Sequence, residues 1–213
     1  MTEVSPRVAA RAAFLAAGLN LAAAAAMLLL LRPGLPAGRS GLHDRVAYVA
    51  GHTAAWWAGW LFWHAAAIAL LGFYLGLAGL WWRSAPARCG LALLCATAGL
   101  AADLSAEAIY MGVAPRLPPE GFAAAEATAA MLTGYVGNGL YTVAGMLLTW
   151  AGAGQLPPRL LALSVPVWAA GLSLSAASLA NSATGQAVST GILMPLFVLW
   201  AGLTGKWLAG RAS

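Results

Sequence analysis

A chain of 213 residues that is 62% hydrophobic and only 8% charged cannot cover a water-facing surface, since soluble domains carry about 25% charged residues. Its solvent is therefore the lipid bilayer, which leaves spanning helices or a closed barrel. Long, unbroken Ala/Leu runs exclude barrel strands, which alternate and measure about ten residues. The net charge of +5 does not point to nucleic acid, because the basic residues stand singly or in pairs between apolar runs, where lipid head groups and topology account for them. The expected fold is all-α: one polytopic transmembrane bundle of about six helices.

The first span is expected over 8–31, behind Arg7 and Arg11 and ahead of Arg32 and Pro33. A basic start and an apolar run also describe a secretory signal. This run is longer than a usual signal core and no small-x-small cleavage site follows it, so a retained helix is expected. Pro33, Gly34, Pro36, Gly38 and Gly41 then make 32–45 a polar loop. The next apolar stretch, 46–82, would reach roughly 55 Å as one helix, against a hydrocarbon core of about 30 Å. Its first turns, 48–53, should lie at or beyond the interface, with the crossing at 57–80 and Trp81, Trp82 and Arg83 at the opposite interface.

Further spans are expected at 89–113, 122–150, 159–180 and 187–208, with Pro166 inside the fifth and Pro195 kinking the sixth. Cys89 and Cys95 fall on one helix about 9 Å apart along its axis, too far for a disulfide, and read as small buried hydrophobes. An even number of spans puts both termini on one side, with Arg7, Arg11, Arg83, Arg88, Arg159, Lys206 and Arg211. The other side holds Arg32, Arg39, Arg45 and Arg116, offset by Asp44 and Glu120. The positive-inside rule then places both termini in the cytoplasm.

Ionisable groups inside a bilayer are expensive and mark candidate sites. Asp103, Glu107 and Tyr110 share one face of the third span, in the half remote from the termini. Glu126 and His52 enter from that same end, and His64 lies about 18 Å deeper along its helix. This set is the candidate ligand or cation site. A His-plus-carboxylate shell suits zinc, iron or manganese, although no metal-ligand motif fixes the metal or any other cofactor. The structural alternative is that paired or protonated acids tie helices together. Haem fits poorly: His52 and His64 on one helix cannot clasp one iron, and no other span holds a histidine, which leaves only single ligation at His64.

Trp56, Trp57, Trp60, Phe62 and Trp63 precede His64 and could wall a pocket for an isoprenoid, a quinone or another flat apolar ligand, or else fill the bundle and face lipid. Gly134, Gly137, Asn138, Gly139 and Tyr141 form a helix-packing stretch, because small residues permit close approach and polar ones bond across it. Gly72 and Gly76 make a second small-xxx-small pair. Asn20 and Asn181 stand alone as helix bridges or interface groups. No nucleophile elbow, phosphate loop or Cys-x-x-Cys occurs, and Ser173, Ser175 and Ser178 are expected to bond to their own backbone.

The stretch Gly137-Asn138-Gly139-Leu140-Tyr141, the Leu156-Pro157-Pro158-Arg159 turn, and the last helix from Pro195 to Trp200 with Gly205 before Lys206 resemble a bacterial family of multi-pass inner-membrane proteins of unknown function. The likeness covers the C-terminal half. It implies a bacterial inner membrane and carries no activity with it.

Three functional classes are open to this sequence. One is a non-enzymatic membrane protein that binds or moves a small apolar ligand or cation. Another is a membrane enzyme or redox protein with metal or haem at His52 or His64. The third is a structural or signalling subunit, with a partner or a second copy packed on its small-residue faces.

Overall fold

The computed structural model describes residues 4–38 and 41–211. Arg39, counted above for orientation, lies outside the described residues. Seven helices account for the described chain: α1 (Pro6–Gly34), α2 (Leu42–Gly51), α3 (Thr53–Trp81), α4 (Pro86–Arg116), α5 (119–151), α6 (Pro158–Leu179) and α7 (Ala183–Gly210). α1, α3, α4, α6 and α7 are long and apolar enough to cross a membrane. α5 is as long, but Glu120, Glu126, Thr133 and Asn138 make it the most polar of the six rods. The chain is an all-α, multi-pass membrane bundle.

Local chemistry sets the helix ends. Proline occupies the first turn of α1, α4, α5 and α6, where its missing N–H has no intrahelical partner to lose. Ser5 and Ser182 cap α1 and α7 by accepting from Val8 N and Gly185 N. Between α6 and α7 the chain turns on Asn181, the one described non-glycine residue with positive φ, at 50°. Ser182 N donates to Ala177 O and Asn181 N to Ser178 O, the bonding of a Schellman motif with Asn in the left-handed position. Both α6 and α7 continue through their internal prolines, Pro166 and Pro195.

The first loop is more structured than its composition suggests. Residues 42–51 form α2, and the break to α3 falls at His52 (φ −127°, ψ 39°). The over-long apolar stretch is thus divided into a short helix and a crossing of 29 residues.

The six long helices close into a ring. α1 packs on α3, α3 on α4, α4 on α5, α5 on α6, α6 on α7, and α7 returns to α1. The start of α1, the end of α3, the α5–α6 turn and the end of α7 meet around a cleft of about 500 Å³ lined by Ser5, Trp81, Gln155 and Arg211. Both termini therefore share one end of the bundle, called here the terminal end. That half is packed solid around Phe73, Trp81, Trp168, Trp200 and Leu208. Arg88 lies 3.8 Å from the Trp150 ring there, and Arg211 5.0 Å from Trp207, pairings that let a charged head and an aromatic face share a membrane interface.

Candidate functional site

The opposite, distal half of the ring is hollow. A cavity of about 970 Å³ takes its wall from all six long helices. Apolar and aromatic groups dominate it, among them Met27, Leu70, Trp60, Trp63, Tyr74 and Phe197, with Asn20, Asp103, Glu126, Thr133 and Asn138 interspersed. Protein interiors close to near-crystalline density, so a space of this size at the upper end of the ligand-pocket range is a built feature. Arg32, Asn181 and Gln186 mark its distal rim.

Three π-helical turns interrupt the helices at this depth: Met27–Leu31 in α1, Ile109–Val113 in α4 and Met131–Gly137 in α5. Each contributes to the cavity wall, through Met27, Tyr110 and Thr133 respectively. A π turn disturbs the regular backbone ladder, and in α1 and α4 side chains of neighbouring helices take up its carbonyls. Tyr48 OH of α2 donates to Leu30 O (2.7 Å), Trp56 Nε1 of α3 to Tyr110 O (2.8 Å) and Trp57 Nε1 to Met111 O (3.1 Å). The aromatic run of α3 thus has two uses. Trp56 and Trp57 bond to α4, while Trp60 and Trp63 line the cavity. Trp60 stacks on Tyr110, with ring centres 4.1 Å apart. Phe62 points outward, 42% exposed.

The three acids do not converge on one point; each has its own partner. Arg45 of α2 donates through Nη1 to both carboxylate oxygens of Glu126, at 2.5 and 2.6 Å, in a buried pair, and its guanidinium lies 5.9 Å from the Phe122 ring. His64 Nδ1 lies 2.6 Å from Glu107 Oε2 across the α3–α4 contact. Asp103 accepts from the Thr133 hydroxyl of α5. Glu107 is 1% exposed, and neither it nor His64 belongs to the cavity wall. His52 sits at the α2–α3 break, exposed and stacked on Tyr48 at 4.5 Å, away from all three acids' partners. Among the described residues no three His, Cys, Asp or Glu side chains gather closely enough to hold a metal ion.

The packing stretch of α5 works on two sides. Gly137 meets α4 backbone to backbone: a Cβ there would lie 3.3 Å from Gly99 O, and one on Gly99 would lie 3.0 Å from Gly137 O. Toward α6, Asn138 Nδ2 donates to Gly171 O (2.7 Å) and Ser175 Oγ (2.9 Å). Gly139 abuts Ser175 and Gly134 abuts Ser178. Tyr141 lends its backbone carbonyl to Tyr74 OH at 3.0 Å and its ring to the cavity wall. Ser175 bonds back to Gly171 O within its helix, and so does Asn20 to Ala16 O.

Thr133 carries no signal in the sequence, Arg45 counts there for orientation alone, and Asn20 reads as a helix bridge or interface group. Arg45 stands in a Pro/Gly-rich stretch, and its partner is 81 residues away. Asn20 alone carried a signal, as an isolated amide inside an apolar span. Comparison with protein-family models, with curated proteins and with solved structures finds no match to this chain.

Proposed function

We propose that this is a non-enzymatic protein of a bacterial inner membrane, with cytoplasmic termini, that binds a small, mainly apolar ligand inside its ring of helices. The observation that carries the reading is the cavity of about 970 Å³, to which every long helix contributes. Its apolar wall with a few polar groups matches the usual make-up of small-molecule sites. The three π turns at its depth support the same reading, since such turns recur at functional sites. Among the described residues, no group of three metal-ligating side chains lines the cavity.

The test uses the purified protein in lipid nanodiscs and the neutral fluorescent probe N-phenyl-1-naphthylamine, with empty nanodiscs subtracted. Saturable binding is expected. It should weaken at least about tenfold when Ala24→Phe and Ala130→Phe fill the cavity from opposite walls, a loss corresponding to about 1.4 kcal/mol. Equal binding by the filled variant, folded to the same thermal midpoint, would sink the proposal.

A further inference from the structure

We infer that the cavity's ligand is a lipophilic cation and that Asp103 is its counter-ion; this rests on the ligand-binding reading above.

Charge balance among the buried acids singles out Asp103. Of the two acids in the cavity wall, Glu126 has the Arg45 guanidinium, while Glu107, bonded to the His64 ring, lies outside the wall. Asp103 has the Thr133 hydroxyl, and no ion pair involves it among the described residues. It is 8% exposed and lies in the cavity wall. A carboxylate in apolar surroundings is costly unless a positive charge meets it, and the open space beside Asp103 is where that charge can come from.

The walls fit the same guest. Trp60, Trp63, Tyr110 and Tyr141 line the cavity. Aromatic faces attract ammonium and phosphonium groups, most strongly where water is excluded. An apolar wall, several aromatic rings and a single uncompensated carboxylate together complement a bulky organic cation better than a neutral or anionic one. Arg32 also touches the cavity, but at its distal rim and exposed, where water and salt screen its charge. The Glu126 charge is already met by Arg45.

Two isosteric ions make the test. Tetraphenylphosphonium and tetraphenylborate share shape and lipophilicity and differ in sign. Their binding to the protein in nanodiscs is measured by equilibrium dialysis, again with empty nanodiscs subtracted. Tetraphenylphosphonium should bind at least about tenfold more tightly than tetraphenylborate. Asp103→Asn, which keeps an acceptor for Thr133, should weaken it at least about tenfold, the loss of about 1.4 kcal/mol. The uncharged N-phenyl-1-naphthylamine should lose less affinity than tetraphenylphosphonium in this variant, and Glu120→Gln on the exposed start of α5 should change neither. Retained phosphonium affinity in Asp103→Asn, with the neutral probe still bound, would overturn the cation assignment and leave the cavity reading standing. A wild-type preference for tetraphenylborate overturns it without any variant. Loss of the neutral probe from the wild type as well would remove both proposals together.

Discussion

Arg45 stands among prolines and glycines at the foot of an apolar run, and nothing in its immediate neighbours marks it. Yet its side chain is 10% exposed and clasps Glu126 from another helix. Removing one member of a buried pair leaves the other charge without compensation, which is strongly destabilising, by about 3–5 kcal/mol, whereas replacing both with apolar groups is often neutral. Arg45→Met alone should therefore lower the thermal midpoint sharply. Arg45→Met combined with Glu126→Leu should recover most of the loss, a pattern readable by unfolding of the detergent-solubilised protein. The residues of this site were unevenly legible in the sequence. Asp103, Glu107 and Tyr110 announce a shared face through their helical spacing alone. The partners of Asp103, Glu107 and Glu126 are not announced, because Thr133, His64 and Arg45 lie 30, 43 and 81 residues away from the acids they meet, and no local periodicity encodes such distances.

Hydropathy and proline placement make each long span visible, so the all-α multi-pass fold is readable from sequence. The departures from regular helix are not. α2 has only ten residues, too few for an apolar window to resolve. The π turns look like ordinary Leu-, Met- and Tyr-bearing helix, and those of α1 and α4 show themselves only where a neighbour's phenol or indole bonds their carbonyls. Glycine spacing misleads in a similar way. Gly72 and Gly76 read as one small-xxx-small face, but a Cβ on Gly72 would meet nothing within 4 Å, whereas one on Gly76 would lie 3.2 Å from the Ala9 backbone of α1. Only Gly76 is a helix contact. Gly76→Leu should force α1 and α3 apart and lower stability by roughly 1–3 kcal/mol, the usual range for overpacking. Gly72→Ala should be neutral or slightly stabilising, as expected when an unhindered helical glycine gains a methyl. Thermal unfolding of the two variants side by side distinguishes them.

The order of helices around the ring follows from six long rods that alternate in direction: neighbours in sequence are neighbours in space, and α1 and α7 close the circle. That closure needs both termini at one end, which the shared cleft of Ser5, Trp81, Gln155 and Arg211 provides. In the proposed inner-membrane orientation the basic-rich terminal end faces the cytoplasm, as the positive-inside rule expects. A cysteine placed at Gly154, in the α5–α6 turn, should then react with a membrane-impermeant maleimide only after the inner membrane is broken. One placed at Leu117, between α4 and α5, should react in intact spheroplasts. The reverse labelling would invert the orientation.

The solid terminal half gives the bundle a shape with consequences for traffic. Phe73, Trp81 and Trp200, each at most 1% exposed, close the floor beneath the distal hollow. In this conformation the distal hollow and the terminal cleft are separate spaces, with those rings in the core between them. A molecule passing from one space to the other would need those rings to part.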